Sequence, residues 1–465
     1  MARKFAVFVL LSLLCCDVAA VCQELASPEF MSYEAAQPVL TAMRDTLPTD
    51  LKNAGLLDPT KWSSWVQASD RKIRARLDRG EEDTLTNLLR FGVTFTKEFR
   101  IDDQYLVRYG NSTLVNSFAE NRANDLIRAL AAPSAGAAML EMRAFLEKNG
   151  FSLKSSQGRK NTKKYLLDNL ARMRDEFINY HNTPKDERRF QLFKDRGISL
   201  DTNLWPDYQL EQSLRDLLNK GLLQRGSVHR IAIVGPGLDF VNKEAGNDFY
   251  PPQTIQPFAV MDSLVRLGLA NPRTLELYTL DISSQVNLHI ARARKNAAAG
   301  RPYTVQLPWN AIRPMSQDFR ASFVDYWQKL GGAIGKAVAP IPVPQAAEGT
   351  QTRAVRIPPE IVRRITPVDM NIVFQRLGIS PPQAFDLIIG TSIFLYYDGF
   401  EQSLARANVA AMLKPGGYLL SSDKLPDMVS SGLEEVLETK IEMSHDPLIL
   451  DDVFCYRRER ALTNR

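Results

Sequence analysis

The sequence predicts an α/β chain in which a mostly parallel sheet with flanking helices follows an all-helical N-terminal region. Three observations carry that expectation. Residues 24 to about 225 repeatedly place apolar side chains three and four positions apart. From Val228 the period changes, and short β-branched runs alternate with helix-length segments, the grammar of a parallel sheet covered by helices. The first of these runs ends in Gly235-Pro236-Gly237, a turn that lets the backbone come close to a ligand.

A chain of 465 residues is too long for one ordinary domain. The changes of pattern place a leader at 1–20, a helical domain at 21–225 and the sheet domain at 226–465, with insertions at about 240–256 and 308–355. Hydrophobic residues at 45% and charged residues at 24% describe a globular protein with material for a sizeable core. A net charge of +5 is small for this length and gives no nucleic-acid signal. The basic clusters at 159–164 and 185–189 are broken by uncharged or acidic neighbours and read as solvated helix faces.

The first twenty residues have the form of a cleaved export signal. Arg3 and Lys4 precede an apolar run over 5–16, and Val18-Ala19-Ala20 supplies small residues for cleavage. The run is too short to cross a hydrocarbon core of about 30 Å comfortably, so no permanent membrane span is expected. The mature chain is then periplasmic or secreted; a true start at Met31 would instead leave it in the cytoplasm. Cleavage would leave Cys22 and Cys455, enough for one disulfide or none. With four scattered histidines they form no recognisable metal site.

In the helical half, residues 62–77, 83–91, 117–130, 138–148 and 163–180 carry the helical period, punctuated by Gly150, Gly158, Pro184 and Gly197. Asn111-Ser112-Thr113 fits a glycosylation pattern that matters only in a eukaryotic secretory pathway. Beyond Val228, strands are expected at 228–234, 274–280, 385–389 and 417–421, with helices at 258–267, 284–298 and 401–413. Residues 438–444 and 452–457 are expected to close the sheet as an antiparallel hairpin. The Gly/Ala/Pro-rich stretch 331–350 reads as a mobile insertion.

Four pieces carry chemistry. The glycine turn after Ile231–Val234 is the first; a third glycine at Phe240 is missing, which argues against a nicotinamide dinucleotide. The second is Asp281 at the end of the next strand, placed to accept from both hydroxyls of a ribose, although Asp281 or Ser283 could equally cap the following helix. The third, Asp369, could accept from an exocyclic amine or serve as a turn residue. In the fourth, the helix 401–413 ends at Lys414-Pro415-Gly416-Gly417 before a further strand.

In this order the pieces resemble class I S-adenosylmethionine-dependent methyltransferases, through "IAIVGPGLD", "LYTLDIS", "VDM" and "FDLIIGTSIFLYYDGFEQSLARANVAAMLKPGGYLL" over 228–457. The resemblance implies a Rossmann-like methyltransferase sheet and S-adenosylmethionine as cofactor. Gly235, Pro236 and Gly237 would face its methionine end, Asp281 and Ile282 its ribose, and Asp369 and Met370 its adenine. Gly390 and Thr391, with Ser392, would line the methyl-transfer face. The chain departs from the family at Ile233 and Asp239, where an acidic residue and a third glycine are usual.

The insertion over 240–253 leaves the sheet at its ligand-binding edge, which makes Asp248, Phe249, Tyr250 and Gln253 candidates for an acceptor pocket, or simply members of a surface loop. Tyr396, beside Tyr397 and Asp398, could orient an acceptor or pack the entry of the next helix. Methyl transfer needs alignment of nucleophile, methyl and sulfur, and no residue stands out as a general base. The expected function is methyl transfer to an unidentified small-molecule or protein acceptor. The alternative is an exported, catalytically silent binding protein with a repurposed Rossmann-like domain, in keeping with a cofactor made in the cytosol.

Overall fold

The computed structural model describes residues 27–47, 49–53, 56–102, 105–106, 113–183, 197–202, 204–239, 248–310, 321–426, 432–442 and 450–459. The export signal, Cys22, the Asn111 pattern and the first part of the 240–253 insertion lie outside them.

The N-terminal half is helical, as expected. After a short strand β1 (Pro28–Phe30) come α1 (Tyr33–Ala42), α2 (Thr49–Asn53), α3 (Pro59–Phe91), α4 (Thr113–Ala131), α5 (Ala137–Lys148), α6 (Ser156–Asn182) and α7 (Trp205–Asn219). Asp58 caps α3 by accepting from the Thr60 N–H, and Pro59 begins the helix where its missing N–H costs nothing. The sequence predicts the helical period over 62–77 and 83–91 as separate stretches. The structure runs one helix through all of it. Gly80 is a close-approach position: a β-carbon there would sit 1.8 Å from the Ile198 carbonyl oxygen.

The C-terminal half forms the expected Rossmann-like sheet. Its elements are β2 (Arg230–Val234), α8 (Gln256–Arg266), β3 (Glu276–Asp281), α9 (Ser284–Ala298), β4 (Tyr303–Asn310), α10 (Ala321–Lys329), β5 (Lys336–Val338), β6 (Thr350–Ile357), α11 (Pro359–Val362), β7 (Ile365–Asp369), β8 (Gln375–Leu377), β9 (Phe385–Gly390), α12 (Gly399–Met412), β10 (Leu413–Ser421), β11 (Leu433–Glu442) and β12 (Leu450–Arg458). The main sheet has the order β11-β12-β10-β9-β2-β3-β7. The pairs of β2 with β3 and β9, β3 with β7, and β9 with β10 are parallel, and β12 runs antiparallel to both its neighbours. The hairpin expected at the chain's end is therefore present, inserted so that its second strand lies inside the sheet.

Two details differ from expectation. α12 stops and β10 begins at once, as expected, but at Met412 and Leu413, so Lys414 to Gly417 form an irregularity within the strand, with Gly416 at φ +83°. The stretch 331–350 carries β5 and leads into β6, which with β4 make a second, three-stranded antiparallel sheet. The small residues that suggested mobility serve close packing instead: a β-carbon at Gly335 would meet Val355 Cγ1 at 2.7 Å.

Strand alternation divides the core. Ile231, Ile233, Leu277, Leu387 and Ile389 face one side, against α7, α8 and α9. Ala232, Val234, Leu280 and Ile388 face the other, against Leu404 and Val409 of α12 and also Val39, Trp62, Val66 and Ile73 from α1 and α3. The change of pattern at 225 is thus a change of element type, and the sheet's cores run across it. β1 also pairs with β8, Phe30 opposite Gln375. Only the later part of the helical half, from Leu85 on α3 through α4, α5 and Leu166 of α6, has a core of its own.

Candidate functional site

The parallel register brings the strand ends to one edge. Val234 lies opposite both Leu280 and Gly390, and Asp281 lies opposite Asp369. After β2 the chain moves to β3 and β7 on one side and later returns to β9 and β10 on the other. The edge between β2 and β9 is the topological switch point at which open α/β sheets bind ligands.

Gly235 and Gly237 hold φ values of +64° and +65°, which side-chain-bearing residues rarely adopt. Both are also crowded: a β-carbon at Gly235 would fall 2.1 Å from Ile393 Cδ1, and one at Gly237 would fall 2.7 Å from the Leu200 carbonyl oxygen. The Asp281 carboxyl is buried. It accepts from the Ser283 N–H at 2.7 Å and from the backbone N–H of Gly237, tying the glycine turn to the end of β3. Burial pushes this carboxyl up to about 7, against those two hydrogen bonds. The cap of α9 is Ser283, whose hydroxyl accepts from the Val286 N–H, so Asp281 is not needed for capping.

Gly235, Gly237, Asp281, Ile282 and Met370 line a single cavity, together with Leu77, Ile198, Ser199, Leu200, Ile393 and Tyr397. Its volume is about 30 Å³. Pro236 is buried beside it. Asp369 sits at the same edge but turns to Arg74 of α3, at 2.7 Å. Gly390 packs on Phe394, and Thr391 accepts from the Gln256 amide at 2.8 Å. Ser392, at φ +54°, is the one described non-glycine residue with positive φ. Backbone strain of that kind, beside a ligand edge, marks a position held by its surroundings.

The candidate acceptor residues lie elsewhere. Asp248 accepts from the Val93 and Thr94 N–H groups and the Thr94 hydroxyl, anchoring the insertion to the end of α3. Tyr250 donates to Asp239 at 3.0 Å, and the Gln253 amide donates to Asp239 and to the Gln306 carbonyl. The Asp239 carboxyl is pushed up to about 7 by burial. Asp239, a departure from the family pattern, therefore works as a joint between the glycine turn, the insertion and β4. Asp248, Phe249 and Tyr250 line a cleft of about 420 Å³ against Thr94 and Pro342, separate from the glycine-turn cavity. The Tyr396 ring is buried within the sheet-face core, its carbonyl accepting from Arg76, and so packs rather than facing an acceptor.

The residues missed in the sequence come mainly from the N-terminal half. Leu77, Ile198, Ser199 and Leu200 cover the glycine turn, and Arg74 reaches both Asp369 and the Ile282 carbonyl, at 3.1 Å. Nothing local marks them, since their partners lie far along the chain. Among the described residues there is no cluster of histidine, cysteine and acidic side chains able to hold a metal, and no helix long and apolar enough to cross a membrane.

No family model and no curated protein matches the chain. Among solved structures it is similar to the N-methyltransferase NodS from Bradyrhizobium japonicum WM9, at 12% identity over 55% of this chain and 97% of that one, with a TM-score of 0.27. The magnesium protoporphyrin IX methyltransferase ChlM from Synechocystis PCC 6803 gives 12% identity over 61% and 97%, with a TM-score of 0.25. The glycopeptide N-methyltransferase MtfA gives 11% over 54% and 94%, with a TM-score of 0.27. Values this low decide nothing about chemistry, and the fold stands on the strand order itself.

Proposed function

We propose that the chain binds S-adenosylmethionine at the β2–β9 edge and transfers its methyl group to an acceptor not yet identified. One observation carries this reading: two positive-φ glycines after β2, and an acidic residue ending the adjacent strand, line the same cavity at the switch point of the sheet. Gly235 and Gly237 would let the methionine end approach the backbone. Asp281 has the acceptor oxygens a ribose diol needs, and Ile282 and Met370 supply apolar walls for an adenine. The bound sulfonium supplies the activated methyl. The chain's own task is to align it and keep water away, and Thr391 and Ser392 at the end of β9 would line the side from which an acceptor approaches.

The test is calorimetric titration of the protein with S-adenosylmethionine and S-adenosylhomocysteine, with Asp281→Ala alongside. Micromolar binding that the variant loses is the expected result. No heat at millimolar ligand, in wild type and in variants with a loosened cleft alike, would overturn the reading and leave a non-catalytic binding protein.

A further inference from the structure

The cavity at the glycine turn is too small for the ligand its walls describe. At about 30 Å³ it holds about two waters, whereas small-molecule sites run to roughly 300–1,000 Å³. Residues of both halves narrow it: Ile372, Ile393 and Tyr397 from the C-terminal half, and Leu77, Ile198, Ser199 and Leu200 from the N-terminal half, whose segments are attached to the site at both ends.

At the glycine end, the segment Ile198–Thr202 lies along the turn as an added strand. The Leu238 N–H donates to the Leu200 carbonyl at 2.7 Å, the Thr202 N–H donates to the Leu238 carbonyl at 3.3 Å, and Asp201 bridges Leu238 in parallel. This strap also crosses α3 backbone on backbone: the Ile198 N–H donates to the Arg76 carbonyl, and Gly197 and Gly80 leave no room for a side chain between them. At the other end Arg74 acts as a latch. Its guanidinium donates to Asp369 and to the Ile282 carbonyl, and Asp70 one turn earlier holds it at 3.0 Å while accepting from Asn371. Between latch and strap, Leu77 closes the middle against the cleft.

We propose that the strap, with Arg74 and Leu77 reaching from α3, forms a clasp that shuts the ligand cleft, with Arg74 as its latch, and that the ligand enters only when the strap lifts from the glycine turn and these two side chains turn aside. The proposal rests on the reading of the cleft as a cofactor site. The Arg74–Asp369 contact is half exposed, at 57% for Asp369, and is weak enough to break, whereas the apolar contacts of Leu77, Ile198 and Leu200 hold the shut state. If only a fraction of molecules is open, the apparent affinity falls by that fraction, and loosening the clasp restores it.

The experiment follows S-adenosylhomocysteine binding by stopped-flow fluorescence and by hydrogen exchange, in wild type, Arg74→Met and Leu77→Ala. Arg74→Lys serves as the conservative control, and cooperative thermal melts check that each variant is folded. The expected result is association about fivefold faster in Arg74→Met and at least about tenfold faster in Leu77→Ala, Arg74→Lys between wild type and Arg74→Met, and faster amide exchange over 197–202 when ligand is bound. A structural role alone would not move that last signal, since a ligand ordinarily slows exchange around it. Equal association rates with the strap amides still protected would overturn the clasp while leaving the cofactor reading intact. Absence of binding in every variant would overturn the cofactor reading beneath it.

Discussion

Two clefts are walled on one side by the helical half, and they differ in what that wall is made of. The glycine-turn cavity, about 30 Å³, is closed by Leu77, Ile198, Leu200, Ile372, Ile393 and Met370. The other, about 1180 Å³, runs between residues 93–102 and Gln345-Ala346 and is edged by Lys97, Glu98, Arg100, Asp102, Asp125 and Arg128. Apolar walls gain about 25 cal/mol for each Å² they remove from water, so they meet where geometry allows. Charged walls would have to shed water they hold strongly, so they stay apart. Emptiness by itself therefore does not mark a ligand site here: the closed cleft carries the ligand-like backbone, and the open one, edged by charges around Val93, Phe95 and Phe99, does not.

The largest effect that could break this comparison is pH-dependent. Burial in the closed region raises Asp281 from 3.8 to about 7. Between those values the folded chain holds a proton that the unfolded chain has released, so stability is full below about pH 4 and is lost as pH rises through about 7. The cost to the folded state above both values is on the order of 4 kcal/mol for a group so displaced. Asp239, also near 7, and Asp207, near 8, add slopes of the same sign. Urea unfolding at pH 5 and pH 8 should show the more stable protein at pH 5, and Asp281→Asn should flatten part of the difference. The slope is the readout, because the amide also changes the level at every pH. An unchanged slope would mean that Asp281 is wet in solution and the cleft is not shut.

Next in size is the pair Gly237→Ala and Lys97→Ala. The first forces a side chain into φ +65° and against the Leu200 carbonyl, and should cost roughly 2–4 kcal/mol. The second removes an exposed cation from the open cleft and should stay within about 0.5 kcal/mol. Chemical denaturation of both variants measures the difference. If Gly237→Ala proves as mild as Lys97→Ala, the strap does not lie on the turn.

What could be read in the sequence follows the same division. The strand ends, Gly235, Gly237 and Asp281 announce themselves through turn chemistry and strand period, and the structure brings them into one cavity. The cover does not announce itself. Leu77 reads as one more apolar position of an amphipathic helix, and Ile198 as part of a loop after Gly197. They share a cavity with Gly235 and Gly237, which lie in another half of the chain, and proximity at that separation leaves no local pattern. Gly80 falls between the two expected helical stretches, 62–77 and 83–91, and the strap crossing it explains a glycine inside a continuous helix. The small sheet is hidden for a related reason, since Gly331 and Gly335, which permit its close packing on Val355, belong to the stretch that suggests mobility. Asp248, Tyr250 and Gln253 are legible as special without being legible as structural: each is held by hydrogen bonds that join segments, and the Phe249 ring packs edge-on against Tyr250.

The smallest effect on stability separates the two roles that meet at Asp369. A half-exposed ion pair with Arg74 is worth about 1 kcal/mol or less, so Asp369→Ala should barely shift the unfolding midpoint, and the double-mutant cycle with Arg74→Met should return a coupling below about 1 kcal/mol. Ligand binding is where the roles diverge. As a partner of the latch alone, Asp369 should yield faster association and tighter binding when removed, as Arg74→Met does. As an acceptor for the adenine amine as well, its loss should still speed association, because the latch is gone, but should speed dissociation more, so that affinity falls. Comparing the two rate constants in Asp369→Ala and Arg74→Met decides between them. A variant with slower association than wild type would fit neither role, and would mean that the Arg74–Asp369 contact holds the entrance open rather than shut.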